Sequence, residues 1–211
     1  MMLVQQAMTT PNEQATALKK EADQLLLDTG LLGMLSQHGT PIFTGSYFYN
    51  LMTWRDIDIC LPVSGQPMVI AADIVTRISG KDTLASIYIR NEHVLLTEGN
   101  PKAVFVCMEF LSAERNLWKV DVLLGSPRLV ADIIAPGRDM VSKLTTNTRN
   151  AILSIKSDLC KRPCYRQEIK STDIYRAVLD GGVQDLSGWE VWWDKNRKAQ
   201  LQPEKNSADR K

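Results

Sequence analysis

Hydrophobic residues recur with two different periods along the first 136 residues of this 211-residue chain. Apolar positions at helical spacing predict a helix over residues 12–29, and the same spacing returns over residues 66–79. Pro11 and Gly30 stand where helix boundaries favour such residues. Shorter helical turns are predicted at 31–36 and 47–52. Compact apolar runs predict five strands, at 41–44, 56–62, 84–90, 103–111 and 118–124.

The pattern changes from Gly137 onward, where strand-like runs disappear. Helical periodicity predicts helices over 139–159, 173–180 and 186–198, separated by proline and glycine breakers. Residues beyond 200 are polar and are predicted to be disordered. We therefore expect an α+β fold, with a mixed β-sheet and flanking helices in residues 1–136. A helical domain at 137–199 and a disordered tail at 200–211 complete the predicted organisation.

Composition is that of a soluble globular protein, with 44% hydrophobic and 23% charged residues. No apolar run approaches the roughly 20 residues of a membrane span, and Met1–Thr10 shows no secretory signal pattern. Cys60 and Cys107 stand in strand-like runs and are predicted to be buried thiols. Cys160 and Cys164 are four positions apart and could form one half of a zinc site, but no second pair of Cys or His residues completes it. A reduced, cytoplasmic protein is the natural expectation.

Charge is distributed unevenly although the formal net charge is only +1. Residues 1–137 contain 10 Lys and Arg against 14 Asp and Glu, whereas residues 138–211 contain 15 against 10. An acidic half that concentrates metal and a basic half that attracts phosphate would suit a nucleotide enzyme. Solvated faces of opposite sign are an equal alternative. The overall balance argues against a non-specific DNA-binding protein.

The candidate chemistry lies in three short segments. Asp56 and Asp58 are separated by one apolar residue in a predicted strand, so their carboxylates point to the same face. Asp121 interrupts a second apolar strand, and if the two strands are neighbours the three carboxylates converge. Oxygen ligands of this kind bind divalent metal. Gly45 and Ser46, at a turn before the acidic strand, offer backbone N–H groups and a hydroxyl to phosphate.

These segments resemble the nucleotidyltransferase superfamily related to DNA polymerase β. The resemblance comprises an apolar strand ending in Gly45-Ser46, a nine-residue gap, the Asp56-Ile57-Asp58 strand and a later strand with Asp121. It covers roughly residues 40–125. In size and layout, the chain also looks similar to small bacterial enzymes that modify antibiotics, such as lincosamide nucleotidyltransferases. That narrower similarity rests on general plan rather than on a distinctive motif.

The resemblance implies a magnesium-dependent transfer of a nucleoside monophosphate from a nucleoside triphosphate to a hydroxyl acceptor, expected to be a small molecule. Gly45 and Ser46 would hold the triphosphate, and Asp56 and Asp58 would bind metal. Asp121 would complete a site for two Mg²⁺ ions and help to deprotonate the acceptor. A non-catalytic member that binds nucleotide or a partner protein is the alternative. No long nucleic acid or membrane partner is expected.

Several other residues have alternative interpretations. Glu109 could bind substrate or act as a base, although an exposed strand acid is the commoner case. Tyr47 and Tyr49 could line a nucleotide pocket, and the tryptophans at 189, 192 and 193 are expected in a helical core. The motifs of P-loop, Rossmann and Ser–His–Asp enzymes do not occur in the sequence.

Overall fold

The computed structural model of the protein describes residues 9–165 and 167–200. The predicted disordered tail lies outside this described part, apart from residue 200. The chain divides into two compact units between Ser142 and Lys143. The helices and strands of the first unit, in chain order, are α1 (Pro11–Thr29), α2 (Leu31–Leu35), β1 (Ile42–Thr44), α3 (Gly45–Phe48), β2 (Asp56–Pro62), α4 (Pro67–Ile78), β3 (Leu84–Asn91), α5 (Glu92–Leu95), β4 (Val104–Leu111), β5 (Leu117–Gly125) and α6 (Pro127–Lys143).

Five strands form one mixed sheet in the order β1-β2-β5-β4-β3. β2 and β5 run parallel at its centre, and the other neighbouring pairs are antiparallel. β4 and β5, which follow one another along the chain, form an antiparallel hairpin. Because β2 and β5 are neighbours, in a register that pairs Asp58 with Asp121, the spatial condition for converging carboxylates is met.

The first helix begins and ends at the residues that its sequence indicates. Thr10 is its N-cap, and Glu13 completes a capping box in which each side chain accepts a hydrogen bond from the other residue's backbone N–H. Gly30 ends the helix in the left-handed conformation, with φ of 64°, which glycine adopts without strain. Local capping at Thr10 and Gly30 therefore sets both ends of this helix.

One face of the sheet is covered by α1, α2 and α4. Ile57 and Ile59 of β2 and Val120 and Val122 of β5 point to this side and are buried. Alternation along each strand then directs the intervening residues to the opposite face. Those residues include Asp56, Asp58 and Asp121, as the sequence pattern predicts.

The other face is partly covered by α6, which the sequence analysis places wrongly. A single helix was expected over 139–159, but α6 begins at Pro127 and contains Pro136. The proline removes one helical N–H, which normally disfavours a helix interior. Here the apolar side of α6 packs on a small cluster on the sheet, and this burial outweighs the local preference. The cluster comprises the buried residues Cys60, Ala103, Leu123 and Val130, with Ile42, Phe105, Leu129, Ile133 and Ile134 packed against them.

The second unit contains three helices, α7 (Thr146–Leu159), α8 (Ser171–Leu179) and α9 (Leu186–Gln200). Trp189 of α9 is buried and stacks on Trp192 and Trp193, with ring centroids 5.5 and 5.3 Å apart. The tryptophans thus contribute to a helical core, as predicted. Lys156 is also fully buried, and its Nζ donates to the Tyr175 hydroxyl at 3.2 Å. Within the described residues, no helix has the length and apolar character to cross a membrane.

Candidate active site

Two parallel strands bring the predicted acidic residues together. Asp56 and Asp58 stand on β2, and Asp121 faces them from β5 in direct register with Asp58. One carboxylate oxygen from each residue lies within 4.8 Å of the other two. The three side chains are partly buried, so solvent screens their mutual repulsion only in part. We call this group the acidic triad.

Lys119 adds a cation to the acidic triad. Its register partner on β2 is Asp56, and it stands two residues before Asp121 on the same face of β5. The Lys119 ammonium forms an ion pair with Asp121, and its Nζ lies 4.0 Å from Asp56 Oδ1. Burial lowers the pKa of Lys119, but the hydrogen bond and charge of Asp121, with the charges of Asp56 and Asp58, raise it overall. The lysine is therefore charged at neutral pH.

Gly45 lets the β1–α3 turn approach the triad closely. Its φ is +61°, and a Cβ at this position would overlap Asp58 Oδ2. Only glycine combines that backbone conformation with such an approach. Ser46 follows in the buried first turn of α3. The structure thus places the predicted Gly45-Ser46 turn directly against one of the three carboxylates.

Other groups complete the surroundings of the triad. Trp54 Nε1 donates a hydrogen bond to Asp56 Oδ2 at 3.3 Å. On β4, Cys107 is the register partner of Asp121, and burial followed by the Asp121 charge raises the pKa of this thiol to about 11. Cys107 is therefore a neutral, buried thiol, in agreement with its predicted place in a strand. None of the four cysteines forms a disulfide bond with another described residue.

The acidic triad suits a divalent metal of the magnesium type. All its ligand atoms are carboxylate oxygens, which such hard cations prefer. Oxygens that share Mg²⁺ at about 2.1 Å lie at most about 4.2 Å apart, so a spacing of up to 4.8 Å requires only small side-chain adjustments. In addition, Asp121 Oδ1 is buried and meets no hydrogen-bond donor of normal geometry within the part of the chain that is described.

The two tyrosines after Gly45-Ser46 differ in their surroundings. Tyr47 is buried away from the triad, where its hydroxyl donates to Asp23 at 2.6 Å and the Lys19 ammonium lies over its ring. Tyr49 is half-buried, and burial followed by the Asp58 charge raises its pKa. A Cβ at Gly137 of α6 would overlap the Tyr49 hydroxyl. Of the two, Tyr49 is the one beside the triad.

Two groups around the triad, Lys119 and Trp54, were missed by the sequence analysis, and a third, Glu109, was given only alternative roles. Lys119 stands at the same strand parity as Asp121, a signal that could have placed it on the triad's face. Trp54 precedes the strand, and no periodicity indicates where its indole N–H points. Glu109 of β4 is the register partner of Lys119 and accepts a hydrogen bond from Ser86 Oγ at 2.7 Å.

Comparison with known proteins identifies the fold. No protein-family model matches the chain, and no curated protein matches it. Solved structures do match it. A cytoplasmic RNA terminal U-transferase aligns with a TM-score of 0.52 and 14% identity, over 78% of this chain and 46% of that one. The Cid1 poly(U) polymerase bound to MgGTP aligns with a TM-score of 0.57 and 13% identity, over 77% and 50%.

The chain has the nucleotidyltransferase fold. It spans about half the length of the transferases that it matches, and the similarity at this level of identity concerns the fold. A structure of Cid1 with its short product ApU, at a TM-score of 0.53 and 12% identity, matches in the same way. The fold that was predicted from Gly45-Ser46 and the three aspartates is therefore confirmed. The resemblance to antibiotic-modifying enzymes stays a prediction.

Proposed function

We propose that this protein transfers a nucleoside monophosphate from a nucleoside triphosphate to a hydroxyl acceptor, with magnesium as cofactor. One observation carries the proposal. Three carboxylates from two parallel strands converge beside a glycine turn that tolerates no side chain, in a chain with the nucleotidyltransferase fold. All three acids that the chemistry requires are present, which favours an enzyme over a non-catalytic binding protein.

The residues of the site divide between phosphate and metal. Gly45 and Ser46 would hold the triphosphate through backbone N–H groups and the serine hydroxyl. Asp56 and Asp58 would share metal with the triphosphate, and Asp121 would complete the ligand set. Two Mg²⁺ ions bound there would stabilise both the attacking and the leaving oxygen of an in-line displacement.

The proposed reaction needs no covalent enzyme intermediate. The acceptor oxygen forms a bond to the α-phosphorus while the bond from that phosphorus to the bridging oxygen of the β-phosphate breaks. Pyrophosphate leaves with the electron pair of the broken bond. Asp121 would accept the acceptor's proton, and positioning and electrostatics would supply the rest of the rate enhancement.

Two classes of acceptor are candidates. The resemblance to antibiotic-modifying enzymes favours a hydroxyl of a small molecule. The matched structures favour the terminal hydroxyl of an RNA, because they are named as an RNA terminal U-transferase and a poly(U) polymerase. The helical second unit is the part of this chain that we expect to contact the acceptor.

A labelled-nucleotide screen tests the proposal. Each of the four ribonucleoside triphosphates, labelled at the α-phosphate, is incubated with Mg²⁺ and either a short RNA or a set of small-molecule antibiotics. Label transferred to RNA, and not to the same RNA with a blocked 3′ end, identifies a terminal transferase. Label transferred to an antibiotic identifies the other class. Nucleotide binding without pyrophosphate release for any acceptor would instead support the non-catalytic alternative.

Thermal unfolding tests the site without an acceptor. A ligand that binds only the folded protein at ten times its dissociation constant stabilises it by about 1.4 kcal/mol. For a protein of this size we expect Tm to rise by roughly 3–5 °C with Mg²⁺ and a nucleoside triphosphate together. The Asp121→Asn variant should show a much smaller rise. An equal rise in both proteins would place the metal elsewhere.

A further inference from the structure

The Lys119 ammonium lies next to two of the carboxylates that a metal ion would need. It contacts Asp121 and lies 4.0 Å from Asp56 Oδ1, and both residues belong to the acidic triad. An ammonium has no acceptor lone pairs and cannot join a metal's ligand set. A divalent ion close to the same carboxylate oxygens would repel it at short range. The lysine and a metal ion would therefore compete for the negative charge of the same carboxylates.

The sheet provides a second position for the lysine. Lys119 stands between Asp56 on β2 and Glu109 on β4, its two register partners. All three side chains lie on the same face of the sheet. Ser86 of β3, on the side of β4 away from the lysine, donates a hydrogen bond from Oγ to Glu109 Oε2 at 2.7 Å, so Glu109 would turn from β3 towards β5 to receive the ammonium. The Lys119 side chain is 37% exposed, and its flexible stem of four carbons allows the ammonium to swing across the strand.

We propose that Lys119 is a built-in counter-ion that holds the acidic triad together without metal and moves to Glu109 when metal binds. This inference rests on the proposed function, because it assumes that the triad binds metal. Its consequence is an affinity for divalent ions that is lower than the three carboxylates alone would give. Metal binding then depends more strongly on the triphosphate, because its negatively charged oxygens are additional ligands for the ion.

Mn²⁺ binding to the full chain, followed by electron paramagnetic resonance without nucleotide, tests the competition. Lys119→Met keeps the length of the stem and removes the charge, and we expect it to bind Mn²⁺ on the order of ten-fold more tightly. Lys119→Arg keeps the charge and serves as the matched control, with an affinity close to that of the original protein. An affinity of Lys119→Met that is unchanged or weaker would overturn the inference.

Thermal unfolding gives a second measurement and confirms folding. In metal-free buffer, Lys119→Met should melt at a lower temperature, because the three carboxylates then repel one another without compensation. Saturating Mn²⁺ should raise its Tm by more than it raises that of the original protein. Equal rises in the two proteins would contradict a counter-ion that leaves when metal enters.

A double-mutant cycle tests the role of Glu109. Glu109→Gln should weaken Mn²⁺ binding several-fold, because the displaced lysine loses its second partner. In the Lys119→Met background the same substitution should have little effect. If Glu109→Gln weakens binding equally in both backgrounds, Glu109 acts only by its general negative charge and the proposed second position is wrong.

These results separate this inference from the proposed function. Failure of the original protein and of every Lys119 variant to bind Mn²⁺, with or without a nucleoside triphosphate, would contradict both. Mn²⁺ binding that Asp58→Asn abolishes and Lys119→Met leaves unchanged would overturn only the role of Lys119. The metal site would then stand, with the lysine as an ordinary neighbour of its ligands.

Discussion

Two opposite kinds of carboxylate site lie on the two sides of the sheet, where β2 and β5 begin. On the helix side, Glu21 of α1 accepts hydrogen bonds from Arg55, Asn116 and Trp118, at distances between 2.8 and 3.2 Å. On the side that α6 partly covers, the next residues are Asp56, a member of the acidic triad, and Lys119. There, Lys119 forms an ion pair with Asp121 and its Nζ lies 4.0 Å from Asp56 Oδ1.

The difference shows that successive residues of one strand can contribute to a hydrogen-bonded carboxylate on one face of the sheet and to a group of facing carboxylates on the other. Burial acts to raise the pKa of Glu21, but the donors from Arg55, Trp118 and Asn116 outweigh it and lower the pKa. That carboxylate is satisfied by fixed protein donors and needs no ligand. In the acidic triad, carboxylates face one another instead, and like charges held together disfavour the folded state. A cation bound between the carboxylates would relieve this repulsion.

The largest expected effect is on activity, from Asp58→Asn. This change removes one charge and one strong metal ligand while it keeps the shape of the side chain. We expect transfer activity to fall by roughly a thousand-fold or more, with a Tm equal to or above the original value because repulsion decreases. Activity is measured as label transferred to the acceptor found in the screen.

The matched control for Asp58→Asn is Asp82→Asn, which changes an exposed aspartate by the same atoms. It should retain full activity and Tm. Turnover by Asp58→Asn close to that of this control would mean that the reacting phosphates bind elsewhere.

The second prediction is the opposite of that for Asp58→Asn. Glu21→Gln should reduce stability and leave metal binding intact. The amide loses the charge that matches Arg55 and accepts hydrogen bonds with only one oxygen. We expect a loss of about 2 kcal/mol in the free energy of unfolding, or roughly 4–8 °C in Tm. Glu114→Gln, at an exposed position, is the control and should change Tm little. A weakened Mn²⁺ affinity in Glu21→Gln would show that the two sides of the sheet are coupled.

Strand parity made much of the fold and the acidic triad predictable. Asp56, Asp58 and Asp121 interrupt apolar runs, so their shared face followed from alternation once β2 and β5 were taken as neighbours. The Glu21 site could not be predicted in this way, because Asn116 and Trp118 lie more than 90 positions further along the chain. No local pattern records such a contact. The same limit applies to Lys119. Strand alternation could predict the face of the sheet on which it lies, but not its ion pair with Asp121.

Helix α6 was missed for a different physical reason. The expected domain boundary between residues 136 and 137 falls inside this helix, at Pro136 and Gly137, two residues that locally disfavour a helix. Packing of Leu129, Val130 and Ile133 on the sheet stabilises the helix through tertiary contacts that the local sequence does not reveal. Gly137 also lies against the Tyr49 hydroxyl. The glycine therefore allows Tyr49 to pack closely on the helix and does not end it.

The third prediction concerns Gly45→Ala, which should disturb the triad through sterics alone. The new methyl group would overlap Asp58 Oδ2 and would stand at a positive φ, so the carboxylate must move. We expect a loss of about 1 kcal/mol in stability from the backbone and roughly a ten-fold or larger loss in transfer rate. Gly99→Ala, also at a positive φ but with no atoms near its Cβ position, is the control for backbone strain. It should lose similar stability and no activity.

The smallest effect expected is a difference in the pH dependence of stability. The pKa of Glu21 is lower in the folded protein than its ordinary value of 4.5, so the unfolded chain takes up the proton first as pH falls. The stabilisation by Glu21 is therefore complete well above pH 4.5 and is lost as pH falls through the lowered pKa of the folded state. Urea unfolding of the original protein and of Glu21→Gln, followed between pH 7 and pH 3, should show a constant gap in unfolding free energy that narrows in the acid range. A gap that stays constant to pH 3 would mean that hydrogen-bond geometry, and not the charge of Glu21, distinguishes this side of the sheet from the triad.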